Sequence, residues 1–513
     1  MKWDTGTSCS YLFDFGADLD DNGNVEKASD QGMPLTSPFQ KMFLNFDTLA
    51  LVMPWIEERE DLLSFISTCA DLYNVGVPRL LRFHYKINAK NLSSFHTFLR
   101  SKSPASFSAL RSLEFRFWPR LDEPDNAADM FVNILSRAKN LQSIDITGNL
   151  PPNKPALDQA LASLPSLQHL GLRYFRGLVH GTEILLQHIH SPLTSLEYDC
   201  IAPASDVIAT LAHFHRTLEE LEISDGAFCY NLTAPCYSSL ISLRLMSFNN
   251  TRLAFLIPAF PNLRTLEINC NDYFGDEAEE IRADNLQFQR DKPSQRWHLS
   301  SLEGDAGSLY ILGLQTGVPR VSIMNFIPDL HVDIIGPVLW PLHPIHLSIA
   351  NVEDSEADVD WLFDAISVDG NELFRLDFSL MFPASVDAFS EQQERLDVLL
   401  NELNLISISK PNLSVLSLAI FGDTLDRPSS HDSHSAYDFL DSIEIDTLAA
   451  QVQQVMPTLK LAELHIYSRE TRLSSWIYGE GEVTAVPPQV REDFEGIFDD
   501  LTDRLIKGQS GKL

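Results

Sequence analysis

Apolar residues recur along this chain in a short pattern, in which one is followed by a second three positions later and by a third two positions after that. Twelve copies of the pattern can be read. The seven regular copies are LRSLEF (110–115), LQSIDI (141–146), LQHLGL (167–172), LTSLEY (193–198), LEELEI (218–223), LISLRL (240–245) and LRTLEI (263–268). Five looser copies are VPRVSI (318–323), LHPIHL (342–347), LFRLDF (373–378), LSVLSL (413–418) and LAELHI (461–466).

The last three positions of each copy alternate between apolar and polar, as a short strand with one buried face requires. Stretches with apolar residues at helical spacing, such as 155–164 and 181–190, lie between copies. Between 141 and 263 the copies start 22 to 26 residues apart, within the leucine-rich-repeat range of about 20–29. The pattern therefore predicts an α/β fold, a curved leucine-rich-repeat solenoid with parallel strands on its concave face.

The same reading divides the chain into segments. We expect an acidic, flexible segment at 1–40, a helical module at 41–85 and a connecting helix at 86–103. The solenoid is predicted to span 104–470, with a long loop inserted at 272–297 because this stretch is acidic and polar and the repeat spacing becomes irregular after 273. Residues 471–513 form a C-terminal segment that we expect to end in a helix.

The N-terminal module has a different design from the repeats. Its apolar residues fall on two helical faces, one formed by Leu49, Val52, Met53 and Ile56, the other by Leu62, Phe65, Ile66, Cys69 and Leu72. This segment resembles an F-box, and its combination with degenerate leucine-rich repeats is similar to fungal F-box/leucine-rich-repeat proteins. The positions that match the F-box pattern are Leu44, Asp47, Leu49, Val52, Met53, Ile56, Asp61, Leu62, Cys69 and Leu72.

The resemblance implies that these residues dock on the Skp-type linker of a cullin-RING ubiquitin ligase, and hence connect the chain to the cullin. For that role we expect Val52, Met53, Ile56 and Leu62 to be partly exposed. An alternative is that the helices only cap the first repeat, because a solenoid must shield its terminal core edge.

Charge narrows the choice of partners. The chain carries 38 Lys and Arg against 71 Asp and Glu, a formal net charge of −33. A field of this sign repels nucleic acid and anionic membranes, so we expect neither as a partner. The N-terminus lacks the basic and apolar regions of a secretory signal, which predicts a cytoplasmic or nuclear protein that is not secreted. Its six cysteines are then expected to be free thiols.

No arrangement of residues predicts catalysis. The sequence has no nucleophile elbow, P-loop or dinucleotide-binding glycine motif. The segment 18–29 resembles a calcium-binding loop but has Ser29 where the bidentate Glu should stand. Histidine pairs such as His343 and His346 lack further ligands at zinc spacing. We therefore expect no cofactor, no metal and no enzyme activity.

Strand alternation also predicts a partner surface. If the apolar positions point inward, the residues between and just after them lie on the concave face. The charged residues expected there are Glu114, Arg116, Asp145, Arg173, Glu197, Asp199, Glu222, Arg244 and Glu267. This set favours a ligase adaptor whose repeats bind a target protein with a basic segment. An interaction scaffold without any ligase connection is the alternative, and so is a face whose charges only keep the sheet soluble.

Overall fold

The computed structural model describes fifteen stretches of the chain. They are residues 46–102, 104–117, 127–148, 155–173, 181–199, 207–224, 235–247, 251–270, 276–353, 361–367, 372–382, 389–422, 436–467, 473–479 and 482–485. The chain divides into two compact units, residues 1–202 and residues 203–513. Each unit is described below by itself.

Unit 1 begins with helices and continues as alternating strands and helices. Its elements are α1 (Phe46–Val52), a 3-10 turn (Met53–Trp55), α2 (Arg59–Ile66), α3 (Ala70–Leu80), β1 (His84–Asn88), α4 (Ala89–Lys102), α5 (Pro104–Ala109), β2 (Ser112–Phe117), α6 (Ala127–Arg137), β3 (Ser143–Gly148), α7 (Pro155–Ala162), β4 (His169–Arg173), α8 (Gly181–His188) and β5 (Ser195–Asp199). Strands β1 to β5 pair in chain order and are all parallel.

Unit 2 repeats the same plan. Its helices are α9 (Val207–Thr210), a 3-10 turn (Ala212–Phe214), α10 (Leu253–Ala259), α11 (Asp276–Asp291), α12 (Ala306–Leu312), α13 (Pro328–Leu342), α14 (Trp361–Ile366), α15 (Phe389–Ser409), α16 (Ala436–Ser442) and α17 (Ile445–Val455). Its strands are β6 (Glu220–Ser224), β7 (Ser242–Met246), β8 (Thr265–Asn269), β9 (Ser301–Asp305), β10 (Arg320–Met324), β11 (His346–Glu353), β12 (Arg375–Phe382), β13 (Val415–Gly422), β14 (Leu461–Tyr467), β15 (Leu473–Gly479) and β16 (Glu482–Ala485). Strands β6 to β14 are parallel in chain order, and β15 and β16 continue antiparallel.

Parallel strands stacked in chain order, with helices between them, make this an α/β leucine-rich-repeat solenoid, as the sequence predicts. All three apolar positions of the seven regular copies are buried, the most exposed at 3%. The helices cover this buried side. We call the opposite side of the sheet, where the alternating polar residues lie, the outer face.

The strands are aligned by a repeated hydrogen-bond arrangement. Where β3 begins, the amides of Gln142 and Ser143 both donate to the Arg111 carbonyl, at 2.8 and 3.0 Å. Ten backbone carbonyls in the described ranges accept such a pair of consecutive amides. The ten strands that begin with such a pair are thus tied, by two bonds rather than one, to the residue just before the preceding strand, which fixes their register.

For two of the looser copies, the predicted core positions differ from those in the structure by two residues. Leu347 pairs with Val321 and Ile349 with Ile323, so the core positions of β11 are 347 and 349, and Ile345 is 39% exposed. Likewise Leu416 pairs with Ala462 rather than with Leu464. Both errors arise because β11 and β14 are longer than the strands of the regular copies, so several apolar spacings fit each of them.

The segment 272–297, expected to be a loop, instead contains the 16-residue helix α11. Two of its four buried residues in the described ranges, Asn285 and Gln289, are polar, so its apolar periodicity is weak. The Asn285 side chain accepts a hydrogen bond from the Leu253 amide at 2.7 Å and donates to the carbonyls of Thr251 and Ile311 at 3.1 and 3.0 Å. The Gln289 amide donates to the Gly313 carbonyl at 2.9 Å. These bonds satisfy polar groups that would otherwise be costly to bury.

Two strands were missed in the sequence. The expected connecting helix at 86–103 begins as β1, in which Tyr85 and Ile87 lie opposite Leu113 and Phe115. Strand β9 has glycine at its third core position, Gly304, opposite Ile268. A Cβ at residue 304 would collide with the Ile268 carbonyl oxygen, so β8 and β9 can approach this closely only without a side chain there.

The flexible segment at 1–40, the calcium-loop candidate at 18–29 and the C-terminal helix fall outside the described residues. None of the helices in the described ranges combines the length and the apolar character that crossing a bilayer requires.

Candidate interaction surfaces

The N-terminal module has a hydrophobic core of its own. Met53, Leu62 and Leu72 are each at most 3% exposed and pack inside it. Gly76 lets α3 approach α2, because a Cβ there would overlap the side chain of Ile66. The expectation that Met53 and Leu62 are partly exposed is therefore wrong, since these residues hold the module together.

An arginine fixes the turn that joins α1 to α2. The Arg79 guanidinium Nη2 donates to the carbonyl oxygens of Pro54 and Ile56, at 2.5 and 3.0 Å. These carbonyls belong to the 3-10 turn and the residue after it, which are not satisfied within a regular helix. The guanidinium therefore holds the turn against α3 in one conformation.

This turn presents large apolar side chains to solvent. Trp55 is 82% exposed and Leu51 72%, and Val52 beside them is also exposed. Phe46 on α1 and Val75 on α3 are exposed as well. We call these five residues the apolar patch. Of the residues that match the F-box pattern, only Val52 belongs to the apolar patch.

The other residues expected to dock on the linker do not belong to the apolar patch. Leu49 and Ile56 are half-buried, and Asp61 and Cys69 are exposed. Leu44 and the side chain of Asp47 fall outside the described residues.

The module contacts the repeats through α2 and α3. Helix α3 packs against α5, and the Tyr85 hydroxyl in β1 donates to the Leu80 carbonyl at 2.9 Å. The Arg59 guanidinium lies 5.0 Å from the centre of the Tyr85 ring. Burial raises the pKa of Tyr85 to about 12 despite the nearby Arg59 charge. The junction therefore ties α2 and α3 to the first strand, while the apolar patch remains exposed.

On the outer face of unit 1, Glu114 contacts three basic side chains. Its carboxylate lies 3.1 Å from His84 Nε2, 3.3 Å from Lys86 Nζ and 2.5 Å from Arg116 Nε. Burial raises the pKa of Glu114, but the hydrogen bonds from His84 and Arg116 and the Arg116 charge outweigh it and lower the pKa to about 2. Glu114 therefore stays ionised at any pH where the protein works.

The next acidic residues of unit 1 are paired as well. Asp145 Oδ1 lies 2.9 Å from His169 Nε2, and Glu197 forms an ion pair with Arg173. Gly171 stands between them, opposite both Asp145 and Glu197. Asp199 is half-exposed at the end of β5. The unit 1 outer face is thus a row of ion pairs rather than a row of free carboxylates.

Unit 2 uses one arginine for two acids. Arg244 on β7 lies opposite Glu222 on one side and Glu267 on the other. It contacts Glu222 at 2.9 Å and also pairs with Glu267. All nine residues expected on the concave face thus lie on strands, at outer-face positions, and eight of them take part in ion pairs within the sheet.

The basic residues His84, Lys86 and His169 were missed in the sequence. Each stands on a strand next to its acid, so it is found only once strand register is known. Four histidines of the described outer faces lie next to carboxylates: His84, His169, His346 and His465. No group of three or more His, Cys, Asp or Glu residues in the described ranges is arranged to hold a metal ion.

Comparison with solved structures shows only a distant likeness. No protein-family profile matches the chain, and no curated protein matches it. Among solved structures, a chain from the crystal structure of the yeast Rad7 and Elc1 complex is similar, at 13% sequence identity and a TM-score of 0.28. That likeness covers 75% of this chain and 91% of the other. Similarity this low says nothing about partners, and the fold assignment rests on the strands and helices described above.

Proposed function

We propose that this chain is the substrate-recognition adaptor of an SCF-type cullin-RING ubiquitin ligase. In this proposal the N-terminal module docks on a Skp-type linker, and the outer face of the repeats binds the target protein. The chain is non-catalytic, and other subunits transfer ubiquitin. The second candidate is an interaction scaffold with the same fold and no ligase connection.

The apolar patch is the observation that carries the proposal. Its five residues expose large apolar side chains, although the module already has a complete core without them. Large exposed apolar side chains concentrated in one small module are typical of interaction sites on soluble proteins. Trp is also the residue most enriched among those that dominate binding energy. The patch therefore supports docking of a partner on the module, as the resemblance to an F-box implies.

A module that only caps the first repeat would turn its apolar side toward the repeats and its polar side toward water. Here α3 makes the contact with α5, whereas α1, which carries Phe46, Leu51 and Val52, packs chiefly on α3 and the 3-10 turn. The module therefore has one surface for the solenoid and a second apolar surface left over. This division favours a docking role in addition to a capping role.

The outer faces are the surfaces proposed for the target. They present charged side chains at a regular spacing of about 4.8 Å from strand to strand. Because most of the acids are already paired with cations of the sheet, the face is a pattern of alternating charges. Such a pattern contributes to the rate and specificity of association more than to affinity.

The test is copurification of the full chain with a Skp-type linker and a cullin. We expect the wild-type chain to capture the linker and the double variant Leu51→Asp/Trp55→Asp to lose it, because the change buries two charges in an apolar interface. Circular dichroism should show that the variant keeps its fold, since both side chains are exposed.

Ile408→Asp provides the matched control. Ile408 is 73% exposed on α15 of unit 2, so its replacement adds a charge at an exposed apolar site far along the chain from the module. It should leave linker capture unchanged. Failure of the wild-type chain to bind the linker, with both proteins purified and concentrated, would refute the adaptor function and leave the scaffold.

A further inference from the structure

One carboxylate on the outer face of unit 2 has no basic partner, unlike the carboxylates on either side of it. Strand register places Glu267, Glu303, Ser322, Ser348 and Asp377 side by side on five adjacent strands. Glu267 pairs with Arg244. Asp377 lies 2.8 Å from Arg375 and 2.6 Å from His346. Glu303, between them, has no ion pair and no side-chain hydrogen bond with any described residue.

The reason is the identity of its neighbours. Asp377 contacts Arg375, two residues before it on its own strand. It also contacts His346, two residues before the residue opposite it on the preceding strand. The equivalent neighbours of Glu303 are Ser301 and Thr265, which carry no charge. Asp305, two residues further on, accepts a hydrogen bond from the Ser308 amide at 2.8 Å and caps α12.

The next strand does not supply the missing cation. In unit 1, His169 reaches Asp145 from that position. Arg320 holds the corresponding place on β10, but it makes no ion pair with Glu303 and has an interaction of its own. Ser322 and Ser348 follow on β10 and β11, and their short side chains carry no charge.

The electrostatics agree with the geometry. Glu303 is half-buried, and burial raises its pKa, with a further contribution from the Glu267 charge that Arg244 only partly offsets. The sheet therefore holds a carboxyl group whose ionised form is poorly stabilised. A cation brought by a partner would remove that deficit.

We propose that Glu303 is the anchor for a lysine or arginine side chain of a bound protein segment, which lies across β9, β10 and β11 with Ser322 and Ser348 beneath it. Charge complementarity identifies the occupant, because every other acid of this row in the described ranges has a cation from its own sheet. Identification of the segment as part of the ligase target rests on the proposed function; the binding site itself does not.

The test measures binding of fluorescein-labelled hexalysine and hexaarginine to the full chain by fluorescence anisotropy, with hexaglutamine as the neutral probe. Glu303→Gln should weaken binding of a cationic probe about five- to tenfold, as expected for loss of one half-buried ion pair. It should not lower the melting temperature, because it removes an unpaired charge from a half-buried position. Binding should weaken as the pH falls, since only the ionised Glu303 attracts a cation.

Glu277→Gln is the matched control. It removes the same charge from an exposed position at the start of α11, and it should change binding less than twofold. Equal losses in the two variants would mean attraction by the net charge alone and would overturn the proposal. So would absence of binding by the wild-type chain, or equal binding of hexaglutamine.

The same variants separate this inference from the proposed function. Glu303→Gln should capture the Skp-type linker as well as the wild-type chain does, and Leu51→Asp/Trp55→Asp should bind the cationic probes normally. Failure of the wild-type chain to capture the linker, with normal probe binding, would refute the ligase connection and leave the Glu303 site intact. Unchanged probe binding by Glu303→Gln would refute the site and leave the ligase connection intact.

Discussion

The carboxylate of Asp145 occupies the space that a side chain at residue 171 would need. The two residues lie opposite each other on β3 and β4, and a Cβ built on Gly171 would overlap Asp145 Oδ1. The same oxygen lies 2.9 Å from His169 Nε2. Absence of a side chain at 171 therefore lets Asp145 reach across β4 to His169.

Gly171→Ala should displace the Asp145 carboxylate and weaken its contact with His169. Because the obstacle is the end of a flexible side chain, the cost should be small, ~0.2–1 kcal/mol for a partly exposed pair. Urea denaturation of the variant measures it. In the background of Asp145→Ala the same substitution should cost nothing, and an equal cost in both backgrounds would rule out this explanation.

The strand register is tested by two neighbouring apolar residues of β11 and the turn before it. Leu347 is fully buried, so Leu347→Ala should destabilise unit 2 by ~2–5 kcal/mol. Ile345→Ala should cost less than ~0.5 kcal/mol, because Ile345 is exposed. The same large cost is expected for Leu170, Leu221, Leu243 and Leu266. Denaturation that gave the two β11 variants similar costs would show the register to be wrong.

The ion-pair cluster around Glu114 should make stability depend on pH. Its pKa is lowered from 4.5 to about 2 in the folded chain, so its contribution is fully present above pH 4.5 and is lost as the pH falls through 2. Glu114→Gln should therefore lower the melting temperature at pH 7 and have a much smaller effect near pH 2. Added salt should reduce the difference at pH 7. A variant that melted equally far below wild type at both pH values would contradict this prediction.

The polar packing of α11 should be as important as an apolar core. Asn285→Ala leaves the Leu253 amide and two carbonyls without partners, at a cost of at least ~2 kcal/mol. Asn285→Asp should be worse at neutral pH, because one carboxylate oxygen must face the Thr251 and Ile311 carbonyls. Asn262→Ala is the control. Its amide donates to the Ser238 carbonyl at 2.7 Å on an exposed surface, and its loss should cost less than ~1 kcal/mol.

The repeats could be predicted wherever each core position of a strand was filled by an apolar residue. Strand β9 was missed because Gly304 replaces the third of these residues, and with β9 the position of Glu303 was missed too. Helix α11 was missed for a related reason. Its packing depends on the amides of Asn285 and Gln289, and hydrophobic periodicity does not detect polar side chains that pack by hydrogen bonding.

In the N-terminal module, spacing identified apolar residues but not which side of the module they occupy. Met53 begins a 3-10 turn rather than continuing α1, and this rotates it into the core. Trp55 and Leu51 are exposed by the same turn. The face that a residue takes can be read from spacing only when the helix continues without interruption, so the patch became visible only in the structure.

The paired amides at each strand entry have a consequence for how this protein can change over time. The paired amides position a strand directly on the start of the preceding strand. The number of residues in the connection between the two strands is therefore free to vary. The helix α11 insertion shows this, since β9 still lies in register with β8 although it starts 36 residues after β8, whereas β7 and β8 start 22 and 23 residues after the strands before them. Insertions and deletions on the helical side can therefore change the length of a repeat without moving any residue of the outer face. The length of a repeat and the specificity of its strand can thus evolve independently.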